Sequence, residues 1–283
     1  MILTPDCLIC CQRIALETTK QVTNDESALK TVILKTMKIL KAIPQDTDSF
    51  MVGLKVNEII EEVTGNSDPY RDFKKRSNQI GEKLFPIMSE LVEKSPDPLW
   101  AACKAAVIGN LMDAIAGTSA EFPEVTDSFF EKPFAVDYYN EFRSLLQKAH
   151  KMVYLADNAG EVFFDRILIQ KVNIPTDYFV KGFPFMNDAQ YEDAVLAMID
   201  QVATVKTIPL LKPVAADQQY LLALYVEFLD ATRQADLVVI KGQANYELFM
   251  PLIKGVFYLF VHKCPVIARM EGASIGDAVL IRK

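Results

Sequence analysis

The chain is short of positive charge. Its 30 lysines and arginines face 37 aspartates and glutamates, for a net charge of −7. A protein that coats nucleic acid needs a basic surplus for the phosphates, so that class is excluded, while a local basic pocket for one small phosphorylated ligand is not. No run approaches 18 apolar residues, so no membrane span is expected. The first residues lack a basic stretch followed by a long apolar one, so no signal peptide is expected. Histidine is limited to His150 and His262, and no second C-x-x-C follows Cys7-x-x-Cys10. A zinc cage therefore has few candidate ligands, and the pair also suits two small buried residues on one helix face. Five cysteines are an odd number, which points to a reduced, cytoplasmic compartment. Internal repeats and low-complexity segments are absent as well.

What remains is an ordinary globular mixture, 51% hydrophobic and 24% charged, with 283 residues to build one large domain or two smaller ones. The first 150 residues read as successive helices. Thr4-Pro5, Asn24-Asp25, Asp68-Pro69 and Asp97-Pro98 are helix starts, and Pro44, Gly65 and Gly117 are stops. Pro86 is expected to kink or interrupt the long helix after Asp68. The helix Leu99 to Ala116 carries Asn110 and Asp113 on neighbouring positions of one face, either lining a cavity or forming a solvent edge. From Asp137 to His150 the pattern is again helical.

At Lys151 the grammar changes. Short apolar runs at Met152–Ala156, Tyr178–Val180, Val202–Val205, Leu237–Ile240, Tyr258–Val261 and Ala278–Ile281 read as strands, and the first four are separated by helical patterns. That alternation predicts a largely parallel sheet covered by helices. The expected division is a helical domain over 1–150 and an α/β domain over 151–283.

In such a sheet ligands bind beyond the carboxyl ends of the strands. Asp157-Asn158-Ala159-Gly160-Glu161 follows the first strand, Lys181-Gly182 and Asn187-Asp188 follow the second, and Lys241-Gly242-Gln243-Ala244-Asn245 follows the fourth. Each cluster alone reads equally as a helix cap or a solvated turn. If the strands are parallel neighbours, all three lie on one edge. Oxygen-only donors there favour a hard divalent cation, and lysines beside it suit an oxyanion such as phosphate.

These motifs, with Asp68-Pro69-Tyr70-x3-Lys74-x3-Asn78, Gly109-Asn110-x-x-Asp113, Glu192-Asp193-Ala194 and Lys263-Cys264-Pro265, resemble the metal-dependent damage-control phosphatases with an acidic-residue-methyltransferase-like domain. The resemblance spans nearly the whole chain. It implies a helical N-terminal region packed on a three-layer α/β/α Rossmann-like domain. It also implies hydrolysis of small phosphorylated metabolites (sugar phosphates, nucleotides or damaged derivatives) with Mg, Mn, Co or Ni as the divalent metal ion. By the same resemblance Asp157, Asn158 and Asp188 hold the metal, and Asp157, Asp188 and Lys241 form the catalytic set, with Lys241 on phosphate. Asn110, Glu161, Lys181 and Asn245 line the substrate pocket. The chain departs from the family pattern in three places. Lys181-Gly182 replaces an arginine-glycine pair, keeping the charge but losing the two-pronged fork. Ile208-Pro-Leu-Leu-Lys-Pro-Val-Ala replaces a glycine-rich segment, and Gln190 stands where threonine is common. A methyltransferase would need a glycine-rich loop, and Asp157 to Gly160 contains one glycine. A non-catalytic metabolite binder on the same edge is the other reading.

Overall fold

The computed structural model describes residues 3–44, 47–109, 130–209 and 223–283. Three helices open it: α1 (Pro5–Lys20), α2 (Glu26–Ala42) and α3 (Ser49–Thr64). They pack on one another through Ala15, Val32, Val52, Val56 and Ile60. The Asp25 carboxylate caps α2 by accepting from the N–H groups of Ser27 and Ala28, and α3 stops at Gly65, whose φ of 70° is left-handed. Next, α4 (Arg71–Lys94) runs through Pro86 without interruption, so of the kink or interruption expected there the interruption does not occur. Buried Met88 and Val92 lie beyond the proline and hold the last turns on the core. Helix α5 (Pro98–Ile108) is capped by Asp97 and buried at every residue from Ala101 onward.

The sheet begins with a two-residue strand that sequence periodicity did not resolve, β1 (Val136–Asp137), ahead of α6 (Tyr139–Leu146). It continues with β2 (Met152–Leu155), α7 (Val162–Val172), β3 (Thr176–Lys181), α8 (Tyr191–Leu196) and β4 (Thr204–Ile208). It is completed by α9 (Val226–Arg233), β5 (Leu237–Lys241), α10 (Gln243–Phe249), β6 (Phe257–Val261), α11 (Pro265–Glu271) and β7 (Ala278–Arg282). The strand order is β1-β7-β6-β5-β2-β3-β4. Strands β2 to β6 are parallel, and β7 runs antiparallel to β6 with β1 parallel to β7.

Because side chains alternate along a strand, the sheet builds two cores. Met152, Tyr154, Tyr178, Val180, Val239 and Leu259 face one side with residues of α4, α5 and α7. Val153, Leu155, Phe179, Ile240, Tyr258 and Phe260 face the other with residues of α3, α9 and α10. The result is a mixed α/β fold with a mostly parallel seven-stranded sheet and a helical N-terminal region. From β2 the chain proceeds outward to β3 and β4, then returns to place β5 on the other flank of β2. The sheet edge between β2 and β5 is thus the topological switch point, where a crevice opens in folds of this kind. Among the described residues no helix is long and apolar enough to cross a membrane.

Candidate active site

The segments leaving β2 and β3 are stitched together by backbone hydrogen bonds. The Ala159 N–H donates to the Asn187 carbonyl at 2.9 Å, and the Ala189 N–H donates to the Asp157 carbonyl at 2.8 Å. Asn158 and Asp188 face each other across an isolated antiparallel bridge. Two residues 30 positions apart in the sequence are thereby fixed side by side, with Asp157 adjacent. Asp157 and Asn158 are buried, and the Asp188 side chain keeps 15% of its surface exposed.

From the other side of β2 comes Gly242, with a φ of 84°. A Cβ built there would sit on the Asp157 carboxylate, so only glycine lets the β5 turn close over that group. Gly160 is likewise left-handed, and a side chain on it would strike the backbone of Ser77 in α4. Its N–H donates instead to Asn78 Oδ1 at 2.7 Å, while Asn78 Nδ2 donates to Asp193 Oδ1 at 2.6 Å. One α4 side chain thus ties the β2 loop to the start of α8. Lys74, one turn earlier, donates to Gln190 Oε1 and pairs with Asp68 at 3.2 Å.

The two lysines of the site differ in surroundings. Lys181 Nζ donates to the Tyr225 hydroxyl, lies 3.8 Å from Asp188 Oδ2 and sits over the rings of Phe50 and Tyr225. Burial alone would lower its pKa, but Tyr225 and Asp188 outweigh that and raise it. Lys241 is wholly enclosed. Its ammonium donates to the Ala106 carbonyl at 2.6 Å, to Glu161 Oε1, and to Asp165 Oδ1 at 2.8 Å. Burial opposes its charge, and the carboxylates of Asp165 and Glu161 more than restore it, holding it above its ordinary value. Glu161 is equally buried. Desolvation pushes its carboxyl upward, with Lys241 pulling it back down.

Asn158 links the enclosed and the accessible halves. Its Nδ2 donates to Asp157 Oδ2 at 2.8 Å and to Glu161 Oε2 at 3.0 Å. Asn245 donates to the carbonyls of Ala156 and Lys241, locking the β5 turn to β2. The structure therefore brings together Asp157, Asn158, Glu161, Lys181, Asp188, Lys241 and Asn245. Asn110 and Asp113 lie outside the described residues.

Sequence reading missed Asp165, which accepts from Lys241, from the Tyr154 hydroxyl at 2.6 Å and from the Tyr178 hydroxyl at 2.7 Å. Its signal was present: Asp165 stands four residues after Glu161, on the same face of a helix otherwise lined by Phe164 and Leu168. Tyr225 was missed because nothing local marks an aromatic residue that meets a lysine 44 positions earlier. All five cysteines are free thiols.

Residues 3–279 match the model of the damage-control phosphatase ARMT1-like domain. A protein of Archaeoglobus fulgidus named damage-control phosphatase is 30% identical, over 98% of this chain and 96% of its own length. Damage-control phosphatase PH1575 of Pyrococcus horikoshii is 27% identical over 98% and 96%. The crystal structure of the latter superposes with a TM-score of 0.86 at 24% identity, covering 100% of this chain and 99% of that one, which shows a shared fold.

Proposed function

The chain belongs to the damage-control phosphatase ARMT1-like domain family, and from that membership we propose that it is a divalent-metal-dependent phosphatase acting on small phosphorylated metabolites such as sugar phosphates or nucleotides. The observation that carries this reading is the bridge that sets Asn158 against Asp188 beside Asp157 at the switch point of the sheet.

The donor set fits a hard cation. Among the described residues no three His, Cys, Asp or Glu side chains are arranged to hold a metal ion. By the family resemblance the ligands would be two carboxylates, Asp157 and Asp188, and the amide oxygen of Asn158. All are oxygen, as Mg²⁺ or Mn²⁺ prefers. Gly242 lets the β5 turn approach Asp157, whose carboxylate occupies the place a side chain there would take. Glu161 and Asp165 both pair with Lys241, and Asp188 lies 3.8 Å from Lys181. A bound divalent ion would supply Lewis-acid polarisation of the phosphoryl group.

The residues of the chain divide the remaining work. Lys181, at the accessible carboxylate, meets the phosphoryl oxygens and stabilises charge as it develops. Lys241, which the family resemblance puts on phosphate, is tied in the structure to the Ala106 carbonyl, Glu161 and Asp165, and acts through Glu161 on the amide that completes the ligand set. Asn245 holds the β5 turn, and with it Gly242, against the end of β2. Helix α4 contributes Lys74 and Asn78, which tie it to the segments after β2 and β3.

The test is hydrolysis of an aryl phosphate and a panel of sugar phosphates and nucleotides by metal-stripped protein, with Mg²⁺, Mn²⁺, Co²⁺ and Ni²⁺ restored singly. Turnover should return with metal, and Asp157→Ala should lower it by at least about 10³-fold while the protein stays folded. Metal-restored turnover surviving in Asp157→Ala would remove the reading. Tight ligand binding without turnover under any metal would make the protein a metabolite binder.

A further inference from the structure

Beneath the candidate ligands lies a chain of buried hydrogen bonds. It starts where β2 and β3 pair in register, with Tyr154 opposite Tyr178. Their rings stack at 5.2 Å, and both hydroxyls point at one carboxylate, that of Asp165. Asp165 passes the constraint to Lys241 at 2.8 Å. Lys241 has three N–H donors, and all three are used, on Asp165, Glu161 and the Ala106 carbonyl. With Oε1 of Glu161 held by Lys241, Oε2 is left to accept from Asn158 Nδ2. The other N–H of that amide goes to Asp157.

We propose that Asp165, with Tyr154 and Tyr178, is a positioning unit that fixes the Asn158 amide through Lys241 and Glu161, and so sets the affinity of the site for a divalent cation. The inference rests on the metal-dependent reading above and goes beyond it in naming what holds the ligand set in register. Its logic is that of hydrogen-bond direction. An amide whose nitrogen is fully engaged by two carboxylates must present its oxygen on the opposite side, and the flipped amide would press oxygen against oxygen. That orientation lasts only while Glu161 keeps Oε2 toward Asn158, which depends on where Lys241 is anchored. Without Asp165 the ammonium has lost one of two carboxylates, and Glu161 is free to turn toward it with both oxygens. Apolar residues of similar volume would fill this space at less cost in desolvation, so fold stability alone gives little reason for the arrangement. Groups that orient a metal ligand from behind typically change affinity by about 10–100-fold when removed.

The experiment is titration of Mn²⁺ into metal-free protein, followed by calorimetry and by the electron paramagnetic resonance of free Mn²⁺. It compares the wild type, Asp165→Asn and the double variant Tyr154→Phe/Tyr178→Phe, which keeps the ring stack. Asp165→Asn should weaken Mn²⁺ binding by about 10–100-fold, and the tyrosine variant should weaken it several-fold. Both should keep the wild-type circular dichroism and a cooperative melt, and both should recover most of their turnover when Mn²⁺ is raised to saturation. Variants that melt earlier yet bind Mn²⁺ as the wild type does would show the unit to be a stability element and overturn the proposal. If Asp165→Asn fails to fold, the tyrosine variant decides by the same criterion. A wild type that binds no divalent cation takes down the phosphatase reading and this inference together, whereas equal binding by wild type and variants takes down only the inference.

Discussion

At the scale of single residues, Gly242 is the position with least freedom to change. Its backbone, φ 84° and ψ 146°, lies in a region essentially closed to other residues, at a cost of about 1–3 kcal/mol. Gly242→Ala adds a methyl group on the Asp157 carboxylate as well. Urea unfolding should register a loss of about 1–3 kcal/mol, and Mn²⁺ binding should fall by more than about tenfold because Asp157 must move. The Lys241-Gly242 pair is legible in the sequence as part of the site, and the direction of its lysine is legible too. Leu237, Val239 and Lys241 alternate along β5, and the first two belong to the core beneath α5 and α7. Lys241 must point the same way, into α7, where Glu161 and Asp165 wait four residues apart. Lys181 ends β3 on the face of Phe179 and so meets the opposite core, at Phe50 and Tyr225. Period two thus separates two lysines that motif matching treats alike.

At the scale of elements, the site depends on α4 as much as on the strands. Asn78 accepts from the Gly160 N–H and donates to Asp193, holding the β2 loop and the start of α8 to one helix. Asn78→Leu keeps the volume but leaves a buried N–H without its acceptor. The expected cost is about 1–3 kcal/mol in urea unfolding, with an unchanged denaturant slope. The sequence shows the helices through their caps and spacing, and the strands through apolar runs bounded by turns. It does not show which helix meets which loop, because the partners are 82 and 115 positions apart and no local pattern encodes such a distance. The two-residue strand β1 is invisible for a related reason: only pairing with β7 makes it a strand. Pro86 shows the limit of a local rule, since packing of Met88 and Val92 keeps the chain helical beyond it.

At the scale of the whole molecule, the alternation of strands and helices is enough to infer a parallel sheet between helical layers. The placement of β2 between β5 and β3 comes only from the structure, and it turns three scattered motifs into one edge. Global stability also carries a pH signature, from His262. Its ring is fully buried against Phe260, and neither nitrogen has a hydrogen-bond partner among the described residues. Burial lowers its pKa, against the opposing charges of Glu271 and Asp277. The unfolded chain therefore takes up this proton first as pH falls below about 6.5. Stability is full above that value and is lost as pH drops toward the folded-state pKa. Melting followed by calorimetry at about pH 7.5 and about pH 5 should show a drop for the wild type that is smaller for His262→Phe. An equal drop in both proteins would assign the acid sensitivity to other groups.

The burial of α5 has a consequence for time. For a helix buried at every residue from Ala101 to Ile108, the expected outcome of hydrogen exchange followed by mass spectrometry is protection as high as global unfolding allows. The Ala106 carbonyl that anchors Lys241 belongs to that slowest layer. On that expectation the floor of the site opens no faster than the fold itself, and any motion that admits a ligand falls to the rim above it.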